Sequence, residues 1–273
     1  MVPVFSFIFM IISAIISIGL PIGLFFAWRK KYSLKFMPLL LGAAAFMLFK
    51  GLEQVMHFIV LQPDESSGIA LMWSDPILYV IYGVLAAGIF EETGRFVAFH
   101  LLKRTYKDLG TGLSYGIGHG GTEAVLIAGL AMISSIIMSV MINTGDIARL
   151  GNDPSTLAEI EEFSRISPIM FFAPGFERII AISLHISLSI LVWCSVRVKG
   201  KLWLYPAAII LHAIVNIIPA MYQAHIITNI WLIEGLLIIP TALIALAAYK
   251  VCKILKKADD AEALKEAESE IVC

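Results

Sequence analysis

Seven long apolar stretches constrain the fold of this chain more than any other feature of its sequence. A helix needs roughly 20 mostly apolar residues to cross the hydrocarbon core of a bilayer. The stretches that meet this requirement are 4–28, 36–60, 77–102, 111–142, 168–195, 202–222 and 226–249. The segments between them are too short for a soluble domain. The sequence therefore predicts an all-α, polytopic membrane helix bundle with seven transmembrane helices.

Composition supports a membrane protein and excludes several other classes. Hydrophobic residues make up 59% of the chain and charged residues 15%, whereas a soluble domain has about a quarter charged residues. The formal net charge of −1 lacks the basic excess that binding to a nucleic acid backbone requires. Cys194, Cys252 and Cys273 are scattered without metal-ligand spacing, so we expect free thiols. The first stretch has no basic flank before it and is too long for a cleaved signal, so we expect it to remain as a span.

The loops alternate in charge, and this pattern predicts the orientation of the bundle. Basic residues follow the odd-numbered spans: Arg29, Lys30, Lys31, Lys35; Lys103, Arg104, Lys107; Arg197, Lys199, Lys201; Lys250, Lys253, Lys256, Lys257. The loop after the second span carries Asp64, Glu65 and Asp75, and the loop after the sixth span has no Lys or Arg. The loop after the fourth span is net acidic, with Asp146, Asp153, Glu159, Glu161 and Glu162 against Arg149 and Arg165. Basic loops mark the cytoplasmic side. We therefore expect the N-terminus outside, the C-terminus in the cytoplasm, and location in the cell membrane.

Ionisable residues inside the spans point to a functional site, because each costs about 2.5–3.5 kcal/mol to insert. The polar residues of four spans are Glu91, Glu92, Arg95; His119, Glu123; Glu177, Arg178, His185; His212, Asn216. At about 100° per residue, Glu91 and Arg95, His119 and Glu123, and His212 and Asn216 each share one helix face. With this topology Glu91, His119 and His212 can meet in the cytoplasmic half of the membrane. The four glycines within 116–121 leave room for a neighbouring helix or for an extended peptide, which suits a substrate cleft.

Hydrolysis is the chemistry that this set of side chains permits. A carboxylate and an imidazole can remove a proton from water as the water attacks a carbonyl. His212 and Asn216 could donate hydrogen bonds to the oxyanion that forms. The alternative is a metal site, with zinc held by His119, Glu123 and His212, although this spacing is not that of the HExxH motif. The residues alone leave catalysis with and without metal equally open.

The three polar motifs resemble those of a known group of membrane peptidases. EETGR at 91–95, YGIGH at 115–119 and HAIVN at 212–216 resemble the EExxxR, [FY]xxxH and HxxxN motifs of the type II CAAX-protease and bacteriocin-processing superfamily. Within it, the chain most resembles the YhfC-type membrane peptidases over nearly its whole length. The resemblance implies that Glu91 and His119 activate water, and that His212 and Asn216 form the oxyanion site.

One departure from that pattern concerns the third span. Arg95 lies three residues after the second glutamate, not four, which matches the PrsW-type EExxK spacing and leaves open whether Glu91 or Glu92 is the base. Glu91 and Glu92 point about 100° apart, so one should face the cleft and the other brace a neighbouring helix. We predict that Glu91 is the base and that Glu92 and Arg95 hold the helices in register.

Several polar groups are expected to play supporting roles. Glu123, Glu177, Arg178 and His185 are candidates for contacts that support the site, with Glu177 and Arg178 pairing structurally. Lys50, Glu53 and His57 share a face of the second span and predict a polar stripe whose members pair with each other.

The function predicted from these features is that of an intramembrane endopeptidase. It would comprise a peptidase-like domain at 1–257 and a short charged tail at 258–273, and act from the cytoplasmic side on a membrane-associated or prenylated peptide. A proton-coupled transporter and a non-catalytic membrane scaffold are the alternatives. A transporter is disfavoured because no internal repeat is visible, and a scaffold because all three motifs are present.

Overall fold

The computed structural model describes residues 1–63, 68–146 and 153–272, in which helices are joined by short turns and loops. Outside the described residues lie three charged residues of the predicted loops, Asp64, Glu65 and Arg149, and the thiol of Cys273. The elements, in chain order, are α1 (Val4–Tyr32), α2 (Phe36–Leu61), α3 (Ala70–Ser74), α4 (Pro76–Leu102), α5 (Leu109–Ala124), a π-helical turn (Val125–Gly129), α6 (Leu130–Thr144), α7 (Pro154–Arg165), a 3-10 turn (Pro168–Phe171), α8 (Ala173–Arg197), α9 (Leu204–Gln223) and α10 (Ile230–Val272).

The seven predicted spans are confirmed. Seven helical segments within the described ranges are long and apolar enough to cross a membrane. The fourth is longer than predicted and contains the π-helical turn between α5 and α6. The seventh begins four residues later than predicted, and α10 continues past Lys257, so the predicted boundary between domain and tail falls inside a helix. The protein is therefore a multi-pass integral membrane protein.

Helix α8 lies at the centre of the bundle. Its most apolar window is 72% buried, against 22–44% for the other spans. It packs against α1, α4, α5, α9 and α10. Three serines on this helix, at 187, 189 and 195, donate their hydroxyls to backbone carbonyls of α8 itself, so none leaves a buried polar group unpaired. The central position explains how His185 can reach groups on three other helices.

Glycines of α5 allow it to lie directly against α2 and α8. A Cβ added at Gly116 would be 2.7 Å from the Cα of Ile186, and one added at Gly118 would collide with the backbone of Leu39. Small residues allow such close approach between membrane helices. Of the two roles that the sequence suggested for these glycines, the structure supports contact with a neighbouring helix. The surfaces of Gly116 and Gly118 face α8 and α2, so they do not form the predicted substrate cleft.

Replacing Gly118 by alanine should destabilise the protein, because the new methyl group would be 2.8 Å from the carbonyl carbon of Leu39. Overpacking of this kind typically costs about 1–3 kcal/mol, which outweighs the preference of a helix for Ala over Gly. Gly23→Ala is the matched control, since a Cβ there would have nothing within 4 Å. We expect a lower thermal midpoint in detergent for Gly118→Ala and an unchanged or slightly higher one for Gly23→Ala. Equal midpoints would contradict the close packing of α5 on α2.

Helix α10 forms hydrogen bonds and ion pairs with residues at the end of the bundle where α5 begins. Asp259 accepts a hydrogen bond from the backbone N–H of Leu109 at 3.0 Å, at the start of α5. Glu262 pairs with Lys107 at 2.7 Å and with Arg197 at 2.9 Å. The sequence predicted only a short charged tail here. Instead, the first turns after Lys257 connect α10 to two basic loops.

The orientation of the bundle stays a prediction, and topology reporters test it. Fusions ending after Lys31, Lys107, Lys201 and Lys257 should all report the cytoplasm, because these positions follow the spans that end in basic loops. A periplasmic or extracellular signal after Lys257 would contradict an odd number of spans with this orientation.

Candidate functional site

The three predicted motifs converge at one buried site between α4, α5 and α9. His119 Nε2 lies 3.1 Å from Glu91 Oε2, and His212 Nε2 lies 3.9 Å from the same oxygen. All three side chains are at least 94% buried. The hydrogen bond between Glu91 and His119 needs one proton, carried by either the imidazole or the carboxyl group. The pair therefore places a carboxylate and an imidazole side by side, as a site that activates water requires.

The two neighbouring glutamates have different surroundings. Glu92 accepts two hydrogen bonds from Arg95 Nη1, both at 2.6 Å, and one from His212 Nδ1 at 2.8 Å. Glu92 and Arg95 are fully buried, whereas Glu91 lines the cavity described below. The Arg95 partner is thus Glu92, three residues away, and not Glu91, with which it was predicted to share a face. This arrangement holds α4 against α9 through Glu92 and leaves Glu91 facing the cavity.

A chain of hydrogen bonds and ion pairs extends from Arg95 across α8. His185 Nδ1 lies 3.1 Å from Arg95 Nη2, and His185 Nε2 contacts Glu123 on α5. Arg178 donates to Glu123 at 2.9 Å and also pairs with Glu177. The structure thus brings together all four residues predicted to support the site. Glu177 and Arg178 do pair, and Arg178 additionally joins α8 to α5.

Asn216 lies one turn beyond His212 on α9 and also lines the cavity. Its side chain has no hydrogen-bond partner among the described residues, so the amide remains available to a ligand. Its position on the same wall as His212 agrees with the role that the resemblance implied.

Helix α2 contributes a group that the sequence analysis placed outside the site. Lys50 Nζ lies 3.0 Å from both oxygens of Glu53 and 4.0 Å from Glu91 Oε1. Glu53 also pairs with His57 at 3.0 Å, and His57 with Tyr82 at 3.0 Å. The predicted stripe is confirmed, but it extends to Glu91 at one end. The spacing of these residues on one face of an apolar span was the signal that could have placed Lys50 in the site.

One group of side chains could hold a metal ion. Glu91, His119 and His185 each offer a ligand atom, and these atoms lie within 4.8 Å of one another. The predicted ligands were His119, Glu123 and His212, so the set that the structure gathers has only His119 in common with that prediction. Glu123 is turned toward His185 and Arg178. A carboxylate that orients a metal-bound histidine is a common arrangement at such sites.

The charges of the network also fit a divalent cation. The network joins five carboxylates, Glu53, Glu91, Glu92, Glu123 and Glu177, to three cations, Lys50, Arg95 and Arg178. With neutral histidines, these described residues carry two excess negative charges, and uncompensated charge is costly inside a membrane. One divalent cation would balance them, as would two additional protons on the histidines or carboxylates. Imidazole and carboxylate donors are the ligands of catalytic zinc sites.

The site forms the inner end of a cavity of about 720 Å³. Polar residues of six helices line it: Lys50, Glu53, Gln54 and His57 on α2, Glu91 on α4, Glu123 on α5, Glu177, Arg178 and His185 on α8, His212 and Asn216 on α9, and Thr241 on α10. Apolar residues, among them Leu61, Ile69, Tyr79 and Ile230, line the remainder. The volume is within the range of about 300–1,000 Å³ that is usual for ligand pockets.

Comparison with known proteins identifies the family. Residues 16–237 match the family described as YhfC intramembrane metalloprotease. The chain is also 36% identical, over 251 residues, to a Bacillus subtilis (strain 168) protein named "Uncharacterized membrane protein YhfC", covering 90% of this chain and 95% of that one. No solved structure matches the chain. The buried Glu91, His119 and His185 group agrees with that description, and the chain belongs to the YhfC intramembrane metalloprotease family.

Proposed function

We propose that this protein is a membrane-embedded endopeptidase that hydrolyses a peptide bond of a membrane-associated or lipidated peptide. The observation that carries the proposal is the Glu91–His119 pair, which lies at the inner end of a cavity large enough for several residues of extended peptide. A metal-dependent reaction is supported by the ligand group, the excess negative charge and the family description.

In the proposed reaction Glu91 takes a proton from the attacking water. Its Oε2 faces His119, and its Oε1 lies nearer to Lys50. The hydroxyl oxygen bonds to the peptide carbonyl carbon, and the negative charge moves to the carbonyl oxygen. The C–N bond then breaks, and the proton held by Glu91 passes to the departing amine nitrogen. The products are a carboxylic acid and an amine, which ionise to a carboxylate and an ammonium group.

Other residues of the site position the reactants. His212 and Asn216 line the cavity wall beside Glu91 and would donate hydrogen bonds to the developing oxyanion. Glu92 holds the other nitrogen of His212, which fixes the orientation of its ring. Glu91, His119 and His185 would each offer one ligand atom to a zinc ion, which would leave the second carboxylate oxygen of Glu91 to accept the proton. The ion would supply Lewis acidity that polarises the carbonyl and makes a nearby water more acidic.

The polar cavity does not favour the transporter alternative. Transport requires that the site become accessible from both faces of the membrane. The half of the bundle beyond the site is filled by Phe99, Tyr115 and Trp193, which are fully buried, with ring centroids 4.6 Å apart for Phe99 and Tyr115 and 5.1 Å for Phe99 and Trp193. This packed aromatic core supports a site with access from one side.

The proposal is tested by incubating purified protein, reconstituted in liposomes with zinc, with a library of membrane-anchored peptides. We expect new termini, identified by mass spectrometry, that are produced by the wild-type protein and not by Glu91→Gln. If the wild-type protein cleaves no peptide beyond the level of that variant, the proposal fails.

A further inference from the structure

The residues that line the cavity lie between one end of the bundle and its middle. The lining residues fall within 46–63 on α2 and just after it, 79–91 on α4, 177–185 on α8, 212–223 on α9 and 230–241 on α10, together with Ile69, Glu123 and Ile127. Helices α4, α8 and α10 begin at this end, and α2 and α9 finish there. Glu91 is 15 residues beyond the first residue of α4, which places it about 22 Å along the helix axis from that end. The cavity thus reaches the site along more than half of α4.

The opposite half of the bundle is closed around a packed core. Phe99, Tyr115 and Trp193 fill the space between α4, α5 and α8 immediately beyond the site. The indole N–H of Trp193 donates to the carbonyl oxygen of Asp108 at 3.0 Å, where α5 begins. None of the residues that line this cavity lies in that half. A peptide approaching from the closed end would have to displace fully buried aromatic side chains.

The loop charges identify the closed end. It carries the basic residues that follow α1, α4 and α8, including Lys31, Lys107 and Lys201. Basic loops mark the cytoplasmic side, so the open end of the cavity faces away from the cytoplasm. This is opposite to the side from which the sequence analysis expected substrate to approach.

We propose that substrate and water reach Glu91 and His119 from the extracytoplasmic side. This inference rests on the proposed function and narrows its substrate class to peptides whose cleaved segment is presented at the outer surface. The depth of the site requires that several residues of the segment enter in extended form, since an extended chain spans about 3.3 Å per residue. A peptide held by a lipid in the inner leaflet has no route to this site.

The walls of the cavity suit an extended juxtamembrane peptide. Lys50, Gln54 and His57 form a polar wall on α2, and α8 presents Glu177 and Arg178. These groups can bond to the backbone amides of a peptide, which must be satisfied inside the membrane. Tyr79 and Tyr222 lie nearer the open end, at the depth where aromatic side chains meet the membrane interface. We therefore commit to the extracytoplasmic segment of a membrane-anchored peptide as the occupant.

Cysteine labelling in intact cells tests the direction of access. Ala87 and Ala98 both lie on α4 and are 8% and 3% exposed, but Ala87 lines the cavity and Ala98 lies in the closed half. Each is replaced by cysteine and treated with a charged, membrane-impermeant thiol reagent. Lys31→Cys marks the cytoplasm, and the labelling of the wild-type protein, which carries Cys194, Cys252 and Cys273, is subtracted as the blank.

We expect Ala87→Cys to be labelled in intact cells and Ala98→Cys not to be, while Lys31→Cys is labelled only after permeabilisation. Labelling of Ala87→Cys only after permeabilisation would overturn the proposal. Absence of labelling under both conditions would also overturn it, provided that a thermal unfolding measurement shows the variant to be folded. A second variant, Ala220→Cys, nearer the open end on the cavity wall of α9, should follow Ala87→Cys.

The labelling is independent of catalysis, so the two proposals can fail separately. If Ala87→Cys is labelled from outside but no peptide is cleaved, the access route stands and the peptidase function fails. The opposite outcome is that peptides are cleaved, but Ala87→Cys is labelled, and cleavage blocked, only when the reagent is added to the cytoplasmic face in inside-out vesicles. In that case the function stands and the access route fails.

Discussion

Glu91→Gln should reduce peptide cleavage by about 10² to 10⁴-fold, the usual contribution of a positioned general base, and leave the protein folded. The substitution keeps the size of the side chain and much of its hydrogen bonding, but its amide cannot accept the proton of the attacking water. Glu91 lines the cavity and shares a hydrogen bond with His119. The loss should appear in turnover per folded molecule.

Glu92→Gln is the matched control, because it makes the same chemical change one residue away. Glu92 is fully buried between Arg95 and His212. Removing one partner of a buried ion pair costs up to about 3–5 kcal/mol. We therefore expect a lower thermal midpoint in detergent for Glu92→Gln, and a smaller loss of turnover than for Glu91→Gln.

The opposite pattern would reverse the assignment of the two glutamates. If Glu92→Gln is stable but inactive while Glu91→Gln cleaves normally, Glu92 is the base. If both variants cleave at the wild-type rate, the carboxylates are structural and the proposed function is wrong. Glu91→Gln should also be assayed with saturating zinc, because recovery of activity there would make Glu91 a metal ligand only.

The purified protein should contain close to one equivalent of a divalent cation, and chelation should abolish cleavage that added zinc restores. His119→Ala and His185→Ala should each remove the metal, since His119 and His185 are two of the three residues whose ligand atoms lie together. Metal content, measured by mass spectrometry of the purified protein, reports this without any peptide substrate.

Two further variants separate the ligand set of the structure from the set predicted by sequence. Glu123 contacts His185 and Arg178, and His212 is held by Glu92. Glu123→Gln should weaken zinc binding only about 10- to 100-fold, as loss of a group that orients a ligand does. His212→Ala should retain the metal and lose turnover. Loss of metal in His212→Ala with retention in His185→Ala would favour the predicted set.

Metal-free protein with full activity would contradict the metal site as a whole. The excess of carboxylates over cations in the network would then be balanced by protons on the histidines or carboxylates. The Glu91 and His119 pair could still activate water without metal, so the proposed peptidase function would remain, with its cofactor removed.

The sequence by itself determined the seven spans and the helices that carry the site. Hydropathy and span length are local properties, because lipid requires about 20 apolar residues in each helix. The motif residues are visible for a related reason: an ionisable group in an apolar span stands out from its neighbours. Glu91, His119 and His212 were chosen in this way, and the structure brings them together on α4, α5 and α9.

Tertiary structure alone decided how these residues face one another. Helical geometry sets Glu91 and Glu92 about 100° apart, but the rotation of α4 against α5 and α9 depends on packing between helices. Because of that rotation, Arg95 forms an ion pair with Glu92, and Lys50 lies near Glu91. Packing also fills the surfaces of the α5 glycines with α2 and α8, and it brings His185 into the site in place of Glu123.

The direction of the cavity is a property of the whole bundle. It arises because Phe99, Tyr115 and Trp193, from three different helices, fill one half, while the other half contains a cavity lined by polar and apolar residues. No single span contains this information. The sequence determined which helices cross the membrane and which polar groups they carry. Only the contacts between helices decided which carboxylate faces the cavity and at which end the cavity opens, because side-chain packing between distant segments sets both.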